Sequence, residues 1–434
     1  MLRFALSPYV EPDVVDLRTA LVNYVLAKQR GEGFLLRFEE SEKGREEDRR
    51  EEEFQRLLER FAIQPDQVLH QRERRAHHQQ LAVRLLENGR AFLCICSEEE
   101  LEKERRRSGA TGYSGRCAMR SPEELRRVRE EKIPFTLRIH KPEAPLVLED
   151  LIGGARRFEP VEIDHFILLR TDGTPTPIFA DACDDMMGGI TLLIRPEEQL
   201  LETARERHIQ HALGYDTSPD CAHLPPLLDE AGRRLGRHHR GPTLRRLLEE
   251  GFLPDAVVHY LLSLGNETPE EIFTLPEAVE WFDLKRLSPE AVPFRMEELR
   301  RINRQHLRRM EEIALSRIFG FADADIGRLA KLHLDEAATV NELDERIRAF
   351  FSPKRCEGEG GETMRILSER ILEAPMFGSF EEFIGYLQQK TGLSGERLTL
   401  PLRRLMTGSD TGPALEEIFP LINPYLTEVA RCQH

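Results

Sequence analysis

Three cysteines and a tyrosine stand close enough in the chain to share one metal ion. Cys94 and Cys96 flank a single residue in FLCICSEEE, and Tyr113 and Cys117 follow in TGYSGRCAM. Thiolates are soft ligands, and a third cysteine completes most of a tetrahedral set for zinc. Spacing leaves the fourth ligand open between Tyr113 and His140. Three thiolates with no open-site histidine describe a closed, structural site rather than a reaction centre. The plain competing reading is three buried thiols packing as small hydrophobes.

A second stretch, RFALSPYVEPDVVDLRTAL (3–21), has the order strand, loop, helix, with the helix expected from about Leu17 to residue 30. Such a unit usually receives a phosphate at the helix N-terminus, cradled by glycines. This loop contains no glycine and carries Glu11, Asp13 and Asp16. A carboxylate about 4 Å from a phosphate, at an effective dielectric near 20, costs on the order of 4 kcal/mol. Acids here are therefore expected to repel an anion.

Arginines cluster at 105–107, at 233, 234, 237, 240, 245 and 246, and at 300, 301, 304, 308 and 309. Each run alone could be a solvated helix face paired with glutamates. Several such runs in an acidic chain fit a surface that follows a polyanion backbone.

The elements that must position these groups follow from pattern. The chain has 434 residues, 40% hydrophobic and 32% charged, with a net charge of −15. That is length for several cores, and it restricts nucleic-acid binding to local basic patches. No apolar run approaches the ~20 residues needed to cross a bilayer, so no membrane partner is expected. A cytoplasmic location follows, and the seven cysteines are then not expected to build a disulfide framework. The first part alternates strand and helix, as a parallel sheet with crossovers requires. Residues 78–168 change character, a second α/β stretch follows, and the chain beyond about residue 242 is almost wholly helical. SPKRCEGEGGET (352–363) is the most linker-like segment.

At this point the order of motifs resembles one family from end to end. RFALSP is similar to an opening RFAPSP, LRTAL to ARTAL, and LLRFEESEK to LRIEDTDR; DGTPTPIFADACDDMMGGIT is similar to DGxPTYxFAxVVDDxxMGIT. IRPEEQLLETARE is similar to IRGEDHxxNTPRQ, and RRLGRHHRG stands in the place of KLSKRHG. These are motifs of bacterial glutamyl-tRNA synthetase, a class I aminoacyl-tRNA synthetase. The resemblance implies an α/β Rossmann-type catalytic domain with an inserted acceptor-binding domain, followed by an all-α C-terminal half. Its implied divisions are a first catalytic half (1–77), the insertion (78–168), a second catalytic half (169–241), a helical stem-contact domain (242–310) and an anticodon-binding-like domain (311–434). It also implies tRNA of the glutamate type as partner, no DNA, and ATP with Mg²⁺ only if the protein is catalytically active. The Cys-x-Cys…Tyr-x3-Cys spacing is similar to that of truncated glutamyl-queuosine synthetase relatives, which makes Tyr113 the fourth zinc ligand.

Several family signatures are altered. The HIGH-type tetrapeptide is Asp13-Val14-Val15-Asp16, and the KMSKS-type loop reads Arg234-Leu235-Gly236-Arg237. By resemblance the amino-acid pocket comprises Arg3, Ser7, Glu39, Pro177, Asp181 and Arg195. Pro177 replaces a tyrosine and Asp181 an asparagine, and Asp181 is expected to repel a substrate carboxylate. A recognisable scaffold with altered ATP and amino-acid sites implies a catalytically impaired paralogue. Such a protein would keep tRNA binding, or a regulatory role beside an active synthetase or an amidotransferase. The competing expectation is an active ligase with unusual signatures, or an enzyme of altered specificity.

Overall fold

The computed structural model describes residues 1–39, 45–108, 112–215, 217–236, 239–268, 271–358 and 360–433. Its first ten strands are β1 (Leu2–Leu6), β2 (Phe34–Phe38), β3 (Gln67–His70), β4 (Ala91–Cys94), β5 (Thr136–Ile139), β6 (Leu146–Asp150), β7 (Gly154–Phe158), β8 (Ile167–Leu169), β9 (Leu192–Pro196) and β10 (Asp220–Leu224). The main sheet has the order β3-β2-β1-β9-β10-β6-β7. All its pairings are parallel except β6 with β7. Strand order reverses between β1 and β9, which makes their C-terminal ends the topological switch point of a Rossmann-type sheet, where ligands of open α/β sheets bind. β6 and β7 lie inside the segment expected as an insertion, yet they pair onto this main sheet.

A central strand of a parallel sheet is covered on both faces, so β1 buries not only Leu2, Phe4 and Leu6 but also Arg3. An arginine in that position must find a counter-ion inside the protein. The helix that follows, α1 (Val14–Arg30), begins three residues earlier than the apolar pattern predicts, because the acids belong to its start. Asp13 is its N-cap and Asp16 its N3 residue, forming a reciprocal capping box. Its other end closes on Gly31, at φ 64°, a conformation that glycine adopts without a Cβ clash.

The smaller antiparallel sheet, β4-β5-β8, carries Cys94 at the end of β4. By backbone contacts the chain forms two compact units, residues 1–245 with 258–295, and residues 246–257 with 296–434. The second unit is helical around a core that includes Leu329, Leu343, Ile347, Leu367, Phe383, Leu402 and Ile418, all fully buried.

Two expectations are corrected in this unit. Cys356 and Cys432 form a disulfide, so not all cysteines are free; their Cα atoms lie 5.8 Å apart, within bridging range. Proximity across 76 residues of chain is a product of helix packing and cannot be read from spacing. The segment around Cys356 is also not a linker. Cys356 and Lys354 are buried, and Lys354 Nζ donates to the carbonyls of Phe350 and, at 2.7 Å, Val429. Backbone bonds from Lys354 N to Arg431 O and from Gln433 N to Lys354 O tie the C-terminal residues to it.

Candidate active site

The loop between β1 and α1 is closed from within. Asp13 is 2% exposed, and its Oδ1 accepts from the backbone N–H groups of Val15 (2.9 Å) and Asp16 (3.2 Å). These are the donors that a phosphate at this helix end would use. Asp16 Oδ2 accepts from Asp13 N at 3.0 Å. Arg240 then bridges both acids, its Nε 3.3 Å from Asp13 and its Nη2 2.8 Å from Asp16. Gly241 N donates to Asp13 at 3.2 Å. Two backbone bonds, Val14 N to Pro242 O and Leu244 N to Pro12 O, zip the loop to residues 242–244. The close approach demands glycine at 241, where a Cβ would lie 2.7 Å from Val14 Cγ2.

The expected simple repulsion is thereby corrected. Asp13 does not face open solvent as an uncompensated charge. It occupies the anion's donors and is itself neutralised by Arg240. Burial and the neighbouring Asp13 raise the Asp16 carboxyl to about 6, against the opposing pull of Arg240.

Behind this loop lies a buried lattice of three arginines and three carboxylates. Arg3 grips Asp185 with Nε and Nη2 at 2.9 and 2.8 Å. Arg37 on β2 reaches Asp185 at 2.5 Å and Asp181 at 2.9 Å. Arg195 on β9 donates to Glu206 at 2.7 Å and lies 3.7 Å from Asp181. Gln71 adds a bond to Asp181 at 2.7 Å. The acids come from two helices, Pro177–Met187 and Leu200–Ala212. Desolvation works against every charge here, but the arginines hold Asp185 well below the usual carboxylate range. Glu206 moves the other way: burial, with the charges of Asp181 and Asp185, outweighs Arg195 and raises it to about 7. A second row supports Arg195, since Thr203 Oγ1 lies 3.4 Å from its Nη1 and 2.9 Å from His223 Nε2. His223 Nδ1 in turn contacts Asp150 at 2.5 Å.

Arg3, Glu39, Asp181 and Arg195 come together, all bordering one small cleft, and Ser7 and Pro177 join the last three around a larger adjoining cavity. Pro177 opens its helix, where its fixed φ and missing N–H suit the first turn. Asp181, expected to repel a substrate carboxylate, instead serves as counter-ion to Arg37. Sequence reasoning missed Asp185, Arg37 and Glu206, and it counted Arg240 among polyanion-facing arginines where the structure pairs it with Asp13 and Asp16. A signal existed for Arg37, a charge amid the apolar FLLRF strand; for Glu206 it was the final glutamate of ETARE where the similar motif has glutamine.

In the KMSKS-like loop, Arg234 pairs with Glu197 at 3.2 Å and Leu235 is buried. Gly236 exchanges backbone bonds with His239, and a Cβ there would lie 2.5 Å from Glu198. Arg237 lies outside the described residues.

The cysteine group assembles as expected. The Sγ atoms of Cys94, Cys96 and Cys117 lie within 4.8 Å of one another. Tyr113 Oη is 3.4 Å from Cys96 Sγ and accepts from Cys117 N at 3.1 Å. His140 turns its ring onto Phe92 instead, 4.8 Å between centroids. Burial pushes the Cys96 thiol up to about 11. Burial opposes ionisation of Cys117 as well, but bonds from Tyr113 and Arg120 bring it down to about 7.

The arginine clusters are largely paired with carboxylates: Arg233 with Asp229, Arg246 with Glu250, Arg300 with Glu342, Arg301 with Glu298, and Arg308 with Asp335. Exposed pairs of this kind contribute about 0–1 kcal/mol each, so phosphates can compete for them.

Comparison with known proteins agrees with the fold. The family model for class I tRNA synthetases (E and Q), catalytic domain, matches residues 1–301. Over 430 residues the chain is 49% identical to glutamate–tRNA ligase 2 of a Sulfurovum species, covering 99% of this chain and 100% of that protein. It is 41% identical to glutamate–tRNA ligase 1 of a Nitratiruptor species, with the same coverage. A crystal structure of a glutamate tRNA ligase from Elizabethkingia meningosepticum, in complex with its amino acid, superposes with a TM-score of 0.83 at 25% identity. That match covers 99% of this chain and 97% of the other.

Proposed function

The chain belongs to the bacterial glutamyl-tRNA synthetase family of class I enzymes, and on that premise we propose that it is a tRNA-binding member impaired in forming the aminoacyl-adenylate. The observation that carries this reading is the Asp13–Asp16–Arg240 closure at the start of α1. In the family reaction ATP activates glutamate before its transfer to tRNA, and the triphosphate needs donors at this helix end. Here Val15 N and Asp16 N already serve Asp13. The residues present do not fit a bound triphosphate with Mg²⁺. Losing one preorganised donor to a developing charge lowers turnover by about 10²–10³-fold.

The basic clusters and the helical unit supply the tRNA-binding part of the reading, with tRNA of the glutamate type as ligand. The protein then works in the cytoplasm as a tRNA-binding or regulatory module, beside an active synthetase or an amidotransferase. For zinc, the donor set fits: Cys94, Cys96 and Cys117 would hold the ion with Tyr113 as fourth ligand, bracing the small sheet β4-β5-β8 without any part in chemistry.

Glutamate-dependent ATP–pyrophosphate exchange, measured with and without tRNA, is the deciding experiment. Exchange at least about a hundredfold below that of a family enzyme with an intact HIGH motif is expected. Normal exchange would establish the competing reading, an active ligase, which the 49% identity over the full chain favours.

A further inference from the structure

The cysteine group stands beside charges of the wrong sign for a loaded metal site. Zinc brings two positive charges and three thiolates bring three negative ones, so the cluster is anionic even with Tyr113 neutral. Cys94 and Cys117 are buried, and an anion taken out of water needs a counter-charge. The adjacent helix, Glu98–Ser108, supplies the opposite, with Glu98, Glu99, Glu100, Glu102 and Glu104 along it.

Two arginines stand between sulfur and carboxylate. Arg116 Nε donates to Cys96 Sγ at 3.2 Å, and the same guanidinium lies 3.4 Å from Glu100 and 3.8 Å from Glu104. Those two glutamates are one helical turn apart and so share a face. Arg120 repeats the arrangement, bonding the Cys117 thiol and donating from Nη1 to Glu124 at 3.2 Å. A third cation, Arg138, lies over the Tyr113 ring, 4.5 Å from its centroid, a placement that attraction to the ring face favours. Arg116 and Cys117 are neighbours on the short turn Arg116–Met119, and Arg120 follows it. The segment that delivers a ligand therefore delivers two cations with it. Arg116 is 45% exposed, and paired with glutamates alone it would be one more surface contact of little worth. Its contact with sulfur is closer than with either acid, and a hydrogen bond to an ionised acceptor is a strong one.

We propose that Arg116 and Arg120 are positioning residues of the zinc site, holding the thiolates of Cys96 and Cys117 and balancing the loaded cluster against the glutamates beyond. The proposal rests on the zinc reading above and is independent of the adenylate reaction. Each arginine acts through its thiolate and touches no metal.

Zinc affinity of the full-length protein, measured by competition with a chromophoric chelator, tests it. R116Q and R120Q should each bind zinc at least about tenfold more weakly than the parent, the range in which outer partners of metal ligands act. R116K keeps the charge and loses the planar fork, so it should recover part of the loss. R127Q removes an exposed pair with Glu131 and should leave zinc affinity unchanged. In cobalt-substituted protein, R116Q should move the thiolate-to-metal absorption band to lower energy, because a thiolate without its donor holds its electrons less tightly. A merely structural arginine would weaken folding without moving that band. Zinc affinity of both R116Q and R120Q within about twofold of the parent, equal weakening in R127Q, or an unshifted cobalt band in R116Q overturns the proposal. A parent protein that binds no zinc overturns the site and the proposal together, whereas zinc binding that survives both substitutions removes only the arginines' role. Either single variant carries the test if the other fails to fold.

Discussion

Removing the Asp13 side chain should cost stability and at the same time open an anion site, a combination that few surface substitutions give. Asp13 caps α1 through Val15 N and Asp16 N, accepts from Gly241 N, and lies 3.3 Å from Arg240. Loss of an N-cap costs about 1 kcal/mol. Leaving Gly241 N–H without its acceptor and Arg240 without one of its two carboxylates adds roughly 1–2 kcal/mol. D13A is therefore expected to lose about 2–3 kcal/mol in urea unfolding. D13N keeps a capping oxygen and forfeits only the charge, so it should lose roughly 1 kcal/mol. The second readout is pyrophosphate binding by calorimetry. With Val15 N and Asp16 N released at a helix N-terminus, D13A should bind pyrophosphate at least about tenfold more tightly than the parent protein. Should both variants unfold within about 0.5 kcal/mol of the parent, the cap does not anchor this loop. Should D13A gain no pyrophosphate affinity despite being folded, the site is not closed by Asp13 and the account of impaired activation fails.

Other consequences can be measured separately. Glu206 sits at about 7 in the folded protein, above its unfolded value near ~4.3, so its contribution to stability is complete below that value and disappears as pH rises through about 7. Unfolding free energy should fall by on the order of 2–3 kcal/mol between about pH 4.5 and pH 8 from this group, and E206Q should flatten that part of the profile. An equal slope in E206Q would show that other groups set it. Metal analysis of the purified protein should find about one zinc per chain, bound through thiolates; C96S should lower both zinc content and melting temperature, and zinc-free native protein would refute the site. Reduction of Cys356–Cys432, or C356S, should destabilise the helical unit by about 2–4 kcal/mol because the bridge closes a long loop; unchanged unfolding under reductant would show that it adds nothing. Binding to tRNA should weaken steeply with salt as phosphates are released from the arginine clusters, and salt-independent binding would exclude a backbone-following surface.

The sequence by itself determined the family, the alternation of strand and helix expected of a Rossmann-type domain, and the positions of the altered signatures. These are local properties: apolar period, turn residues and motif order are written in neighbouring letters. It also placed Cys94, Cys96, Tyr113 and Cys117 together, since their separations are short enough for one small sheet to gather them. It did not determine what the altered residues do. Asp13 looks like a repelling charge until α1 is seen to begin at Val14 and Arg240, far along the chain, is found across both acids. Asp181 looks like damage until Arg37 on a neighbouring strand is found opposite it. The disulfide between Cys356 and Cys432 and the burial of the supposed linker likewise depend on helices meeting across 76 residues. A charge acquires its meaning from its partner, and in a crossover fold that partner is set by strand order and helix packing. The tertiary structure alone therefore decided that the acids at the start of α1 fill the anion site, and that the buried arginines are already held.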